Sequence, residues 1–317
     1  MMIQKSGKNQ TRDNTLSLEY VTCDLCESIE FEHVYSKGDD TYFTTLFDFP
    51  VVRCKNCKLT FVNPRPSSES MRAFYPKPYY ERGSAENTTR YEAYMSWIRV
   101  PPSARVCEVG CGRGDFLKLL IEKHQLKEAV GIDPYAASFL DIDAKFFKST
   151  LVEAKLESGS FDVIMAWAVL EHVHEPLKYF KEISRILKPG GHFYCLVTNA
   201  NSIYGRFAYK EDVPRHLYHF SKRSLNEYAY KVGLQLDTYK LSNSIYNGRG
   251  NGTFSHWVRK LVRLPWYYEI TSQSESLRSK IVNLGKLLDR VIFRGNWEET
   301  LGISGIAHVS FIKSENG

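Results

Sequence analysis

Arg105-Val-Cys-Glu-Val-Gly-Cys-Gly-Arg-Gly-Asp115 is the stretch on which the reading of this chain turns. It reads as a short apolar strand that carries an acid, Glu108, near its end and runs into a glycine-rich turn. A helix former follows at once, Phe116-Leu-Lys-Leu-Leu-Ile-Glu-Lys123. Gly110, Gly112 and Gly114 lack a Cβ, so the backbone can turn sharply and lie against a ligand. The helix behind it offers unsatisfied N–H groups at its first turn. The combination predicts a small-molecule cofactor site. The spacing Gly-x-Gly-x-Gly differs from the Gly-x-Gly-x-x-Gly of dinucleotide folds, which places a nicotinamide-dependent oxidoreductase last among the readings.

Working outward, four more elements arrive in order. Ala129-Val-Gly-Ile-Asp133 is a second apolar strand ending in a carboxylate, at about the distance expected for an acid that holds ribose hydroxyls. Ser160-Phe-Asp-Val-Ile-Met-Ala-Trp167 reads as a buried strand, with Leu170-Glu-His-Val173 just beyond it. Ile186-Leu-Lys-Pro-Gly-Gly191 is expected to end a helix, with Gly as its C-cap and Pro stopping it. The strand His192–Thr198 comes next. Further strands are predicted near 145–147, 234–241 and 305–313, and a leading helix over 85–99, broken by Pro101-Pro102. Alternation of strand and helix predicts an α/β domain with a parallel, doubly wound sheet, whose ligands bind beyond the carboxyl ends of its strands.

In this order the chain resembles the class I S-adenosylmethionine (SAM)-dependent methyltransferases. The likeness is nearest to the branch holding ubiquinone-pathway O-methyltransferases and sugar- and polysaccharide-pathway methyltransferases, and covers residues 95–240 well. It implies a seven-stranded Rossmann-like sheet with its last strand antiparallel, and SAM as cofactor. It further implies roles by position. Glu108 would orient the methionine amino group, and the Gly110–Gly114 turn would admit the methionine end. Asp133 would accept both ribose hydroxyls, as an ionised carboxylate can. Pro134 would pack on the adenine, Thr150 and Leu151 would line its edge, and Ala166 and Trp167 would lie under the methionine portion.

A hydroxyl acceptor must lose its proton during methyl transfer, and histidine suits that task near neutral pH. His172 follows Glu171 past the fourth strand and reads either as the base or as a brace for the loop. His216 and His219 lie in Asp212-Val-Pro-Arg-His-Leu-Tyr-His-Phe-Ser221 and would face one way if that segment were helical. Arg215 is placed to meet a phosphate or carboxylate of the acceptor. His174 is expected to be exposed.

Two Cys-x-x-Cys knuckles, Cys23/Cys26 and Cys54/Cys57, predict four thiolates around one Zn²⁺. Four cysteine ligands leave no open position for water, so such a site is structural. The arrangement resembles the N-terminal zinc module that precedes the catalytic domain of sugar methyltransferases, and Phe61-Val-Asn-Pro-Arg-Pro-Ser67 and Phe74-Tyr-Pro-Lys-Pro-Tyr-Tyr80 fit that family's linker. Cys107, Cys111 and Cys195 fall in or beside core strands and read as packed small apolar residues.

The expected organisation is a disordered tail (1–20), a zinc-ribbon-like module (21–66), a linker and leading helix (67–100), the SAM-binding core (101–244), a helical insertion (245–300) and the last strand and tail (301–317). The chain has 317 residues and a net charge of +6, from 42 basic and 36 acidic residues. That mild excess argues against a nucleic-acid partner. No apolar run is long enough to cross a bilayer, and a polar N-terminus and reduced cysteines point to the cytoplasm. The insertion opens on Asn247-Gly-Arg-Gly-Asn-Gly252, a turn-rich loop. Leu277, Ile281, Leu284, Leu288 and Val291 then recur at helical spacing, which suits packing on the sheet or on a second copy in a homodimer. With Trp257, Trp266 and nearby Lys and Arg, segment 254–294 also suits peripheral contact with the inner membrane surface. The acceptor expected from the resemblance is a small-molecule or lipid-linked glycan precursor, with a phenol or quinone intermediate second; the alternative from another class is a catalytically inactive methyltransferase-like scaffold, against which the intact cofactor motifs argue.

Overall fold

The computed structural model describes residues 16–39, 41–76, 85–199, 201–202, 212–242, 245, 254, 258, 261, 277–292 and 297–315. The N-terminal part holds β1 (Leu18–Glu19), β2 (Phe31–Lys37), β3 (Phe49–Cys54), β4 (Thr60–Val62) and β5 (Arg65–Pro66), then the short α1 (Ser68–Met71) and a 3-10 turn over Arg72–Phe74. The larger part follows as α2 (Ala85–Trp97), β6 (Arg105–Val109), α3 (Asp115–Lys123), β7 (Glu128–Ile132), β8 (Lys145–Phe147), β9 (Phe161–Trp167), α4 (Pro176–Ile186), β10 (Leu187–Thr198), β11 (Tyr218–His219), α5 (Lys222–Lys231), β12 (Leu234–Leu241), α6 (Leu277–Ile292), α7 (Trp297–Thr300) and β13 (Ile306–Lys313).

The main sheet has seven strands in the order β12-β13-β10-β9-β6-β7-β8. Strands β6 to β10 pair in parallel, whereas β13 runs antiparallel to both β10 and β12, as expected. Successive strand residues point to opposite faces, and both faces are covered. Ile164, Ala166, Cys107 and Val109 pack on one side with Phe180 and Ile183 of α4 and Leu225 and Tyr228 of α5. Val163, Met165 and Val106 pack on the other with Tyr94 of α2 and Phe116, Leu117 and Leu120 of α3. The chain leaves β6 for β7 on one side and returns to β9 on the other, so the order reverses between β6 and β9. That gap is where a ligand fits an open α/β sheet. Cys107, Cys111 and Cys195 are buried within this packing, as expected.

Four expectations change. First, the Pro-Gly-Gly run is no helix cap: α4 stops at Ile186, and Leu187 is already extended (φ −67°, ψ 140°). Pro189 disfavours the helical conformation at Lys188 before it, so the run opens β10 instead, with a register shift between Leu187 and His192. Second, Leu18 and Glu19, placed in the expected tail, pair with Pro66 and Arg65; residues 1–15 lie outside the described residues. Third, the four-stranded sheet β11-β4-β3-β2 draws β11 from beyond residue 200, so the N-terminal module is completed by the catalytic chain. Fourth, the described part of the apolar stripe of α6 does not pack on the sheet: Ile281, Leu284, Leu288 and Val291 are exposed, the Leu277 side chain lies outside the described residues, and among the described side chains of the helix Gly285 and Asp289 are buried, the Asp289 carboxylate accepting from the Phe254 amide. Trp257, Trp266 and the 247–252 loop lie outside the described residues. No described helix is long and apolar enough to cross a membrane.

Candidate active site

The glycine turn is pinned to the strand beside it. Gly110 and Cys111 both donate to the Ile132 carbonyl at the end of β7, at 2.7 and 3.2 Å. Asp133, the next residue, accepts from Gly112 N at 2.9 Å through one oxygen and from Tyr135 N at 2.8 Å through the other. Its remaining lone pairs stay available to hydroxyl donors. Gly112 sits at φ +56°, and a Cβ built there would meet nothing within 4 Å; the turn faces open space. Gly114 caps α3 at φ +97°, where a Cβ would lie 2.6 Å from the Phe146 ring, so both conformation and space demand glycine.

Glu108 is 3% exposed, and its Oε2 is buried with no partner among the described residues. Burial, with the negative charges of Asp133 and Asp115 behind it, holds its carboxyl well above the usual carboxylate range. A cationic ligand group would relieve that imbalance. A buried orphan acid, a hydroxyl-accepting Asp133 and an open glycine cradle together fit the charged amino-acid end and the ribose of SAM. Pro134 and Thr150 are half-buried beside this edge. Three expected contact residues are otherwise engaged. The Leu151 and Ala166 side chains are fully buried in the core, and Thr150 turns its hydroxyl and amide to Glu153, at 2.7 and 2.9 Å. Trp167 stacks on Tyr94 of α2 with ring centroids 4.3 Å apart, and its indole N–H is buried without a partner among the described residues.

The second half of the site begins at Ala168, whose φ of +54° swings the chain off β9. Glu171 is fully buried; its carboxylate accepts from Thr198 N at 3.3 Å and its carbonyl from Leu217 N at 2.7 Å. It therefore ties together the ends of β9 and β10 and the loop before β11. His172 Nδ1 lies 3.1 Å from the Arg215 carbonyl and 3.1 Å from the Tyr75 hydroxyl. A carbonyl can only accept, which assigns the ring proton to Nδ1 and leaves the lone pair on Nε2. His216 meets His172 edge to face, centroids 4.6 Å apart. Burial, then the neighbouring His216 charge, pulls the His172 pKa down to about 3, so the ring is neutral near pH 7.

The structure thus brings His172 and His216 together but not in the expected way. Residues 213–215 form a turn and 218–219 a strand, so His216 and His219 share no helical face; His219 is buried opposite Thr60 in the module sheet. Arg215 is wholly buried, paired with Asp39 at 2.7 Å and Asp212 at 2.6 Å, and faces no acceptor. His174 is half-buried, donating to the Pro66 carbonyl at 3.1 Å. Tyr75 is not among the expected site residues; the aromatic linker that carries it is the only signal.

In the N-terminal module, Cys23 and Cys57 Sγ lie 3.4 Å apart and Cys26 and Cys54 Sγ 3.5 Å apart, with all four within 4.8 Å. Each knuckle closes alike: Glu27 N donates to Cys23 O and Lys58 N to Cys54 O, with Glu27 and Lys58 both at positive φ. Thiolates on one tetrahedral Zn²⁺ at about 2.3 Å would stand roughly 3.8 Å apart, so the quartet fits that ion.

Comparison with known proteins completes the picture. Residues 80–239 match a family described as a methyltransferase domain. The ubiquinone biosynthesis O-methyltransferase of a Ruegeria species is 32% identical over 134 residues, 37% of this chain and 53% of that protein. The 2-methyl-6-phytyl-1,4-hydroquinone methyltransferase of a Synechocystis species is 33% identical over 106 residues, 29% of this chain and 31% of that protein. The chain therefore spans about half, or less, of these curated relatives. The structure of Haemonchus contortus phosphoethanolamine N-methyltransferase 2 in complex with S-adenosyl-L-methionine aligns with a TM-score of 0.50 at 13% identity, covering 90% of this chain and 68% of that one, a likeness of fold alone. With the seven-stranded sheet, the glycine cradle and the matched span in agreement, the chain belongs to the methyltransferase-domain family of class I SAM-dependent methyltransferases.

Proposed function

We propose that this protein transfers the methyl group of SAM to a hydroxyl of a small molecule, with His172 as the base. The observation that carries this reading is the His172 ring, whose Nε2 lone pair is fixed by the Arg215 carbonyl one loop beyond the cofactor cradle. Bound SAM supplies the electrophilic methyl and leaves as S-adenosylhomocysteine. Glu108 would hold the cationic end of SAM and Asp133 its ribose. Nε2 takes the proton as the hydroxyl oxygen attacks in line, and His216 borders the ring that becomes charged. Positioning of this kind contributes up to about 7–11 kcal/mol, and a base held at the lowered pKa of His172 a further factor toward the lower end of about 10²–10⁴.

Two acceptor classes remain, a sugar or glycan-precursor hydroxyl and a phenol or quinol. The likeness of the four-cysteine module to that of sugar methyltransferases supports the first. Two points support the second: the relatives named above act in quinone biosynthesis by their names, and a base of lowered pKa is better matched to an acidic phenol, near pKa 10, than to an alcohol. The quartet Cys23, Cys26, Cys54 and Cys57 would hold a structural zinc. Cytoplasmic location belongs to the same proposal, supported by seven cysteines none of which forms a disulfide.

Calorimetric titration with SAM and S-adenosylhomocysteine tests the cofactor half: micromolar binding is expected, and Asp133→Ala should abolish it. Transfer of labelled methyl to phenolic and sugar-nucleotide panels then separates the acceptors. His172→Ala should lower kcat about 10²–10⁴-fold. Wild-type kcat in both His172→Ala and His216→Ala would remove histidine from proton transfer.

A further inference from the structure

Both histidine loops are gripped by the cysteine module, each through a carboxylate, Asp24 half-buried and Asp39 buried. Asp24 lies inside the first knuckle, between Cys23 and Cys26. Its Oδ2 accepts from Leu177 N at 2.9 Å and from the Tyr228 hydroxyl at 2.8 Å. Leu177 is in the first turn of α4, whose own cap residue Glu175 supplies no side-chain hydrogen bond. The knuckle therefore caps a catalytic helix from another part of the chain and fixes where the loop bearing His172 ends. The same loop is held midway, because Arg65 of β5 donates to the His174 carbonyl at 2.7 Å.

On the second loop, Asp39 binds the Arg215 guanidinium through both oxygens, at 2.7 and 3.1 Å, and Arg215 also donates to Phe74 O at 2.9 Å. The Arg215 carbonyl is the acceptor that sets the His172 tautomer. Leu217 and Tyr218 beyond it are zipped to Val62 and Phe61 of β4. None of these ties touches the glycine cradle, Glu108 or Asp133.

We propose that the four-cysteine module is the positioning frame of the acceptor half: Asp24 and Asp39 are positioning residues that hold the His172 and His216 loops, so the integrity of the module governs the geometry of these rings and not cofactor binding. This inference rests on the histidine and zinc assignments of the preceding section, and the test separates them.

The experiment uses the full chain and two readouts, nitrogen-proton NMR correlations of the histidine rings and calorimetric titration with S-adenosylhomocysteine. His172→Gln and His216→Gln assign the signals. Asp24→Ala, and wild-type protein stripped of metal with a chelator, should each shift the His172 and His216 signals while the S-adenosylhomocysteine Kd stays within about threefold. Asp24→Asn keeps an oxygen acceptor and should restore the wild-type spectrum. Asp39→Asn is the second variant, should Asp24→Ala fail to fold. Unchanged ring signals in Asp24→Ala, or loss of S-adenosylhomocysteine binding in step with the shifts, would overturn the proposal. A preparation without bound zinc whose Asp24→Ala variant still shifts the rings would remove the metal and keep the frame.

Discussion

Asp133 reaches Gly112 across 21 residues of chain, whereas Arg215 reaches Asp39 across 176. The cofactor half is assembled from neighbouring strand ends and held by backbone geometry. The histidine half is assembled from segments that begin at residue 24 and end near 219, held by buried charge and by the strands of the N-terminal module. Local construction makes the first half robust and readable. Long-range construction makes the second dependent on every part of the frame.

The strongest attempt to break that contrast is Cys54→Ser. Structural zinc in small peptide modules contributes about 10–16 kcal/mol of apparent binding free energy. The variant should lose zinc and the module's order while SAM binding persists in calorimetry. Parallel loss of SAM binding would mean that both halves fold as one unit.

Asp39→Ala comes next. Burial alone would raise the Asp39 carboxyl, yet the hydrogen bonds and charge of Arg215 hold it below the usual range. Removing one partner of a buried pair costs about 3–5 kcal/mol. Because Asp212 still faces Arg215, a loss toward the lower figure is expected, read as a shift of the denaturant midpoint at constant m.

Acid should act more gently and on two separate parts of the molecule. Burial brings His172 to about 3, and burial with the Lys240 charge brings His308, stacked on Trp97 at 4.2 Å, to about 4. Below the ordinary histidine value of about 6.5 the unfolded chain binds protons that these rings refuse, so stability falls as pH falls. The slope is about 1.4 kcal/mol per pH unit for each histidine. His308→Asn should remove roughly half of that slope between about pH 6 and 5 without touching the acceptor loops. An unchanged slope would show that other groups carry the acid sensitivity.

The smallest effect belongs to α6. Leu284 and Leu288 are 58% and 40% exposed, so replacing both with Ser should change stability by no more than about 0.5 kcal/mol. A fall of several degrees in Tm, or a change in sedimentation, would show that this face is covered in solution by a second copy.

How much of this was readable differs along the same divide. Strands β6, β7, β9 and β13 announce themselves because a sheet buried on both faces needs short apolar runs. The turn at 110–114 does so because only glycine tolerates φ of +97° against the Phe146 ring. The cysteine quartet is legible because tetrahedral ligation fixes residue type and spacing. Pro189 misled because the helix had already ended at Ile186, ahead of the glycines that looked like its cap. Arg215 misled because a guanidinium looks the same in sequence whether it meets a ligand or a buried aspartate. The sequence by itself determined the sheet, the cofactor cradle and the cysteine quartet, since each depends on backbone geometry and residues close in the chain. Only the tertiary structure decided which histidines meet, that Tyr75 joins them, and that Asp24 and Asp39 hold their loops, since those choices rest on contacts between segments whose separation in sequence carries no local signal.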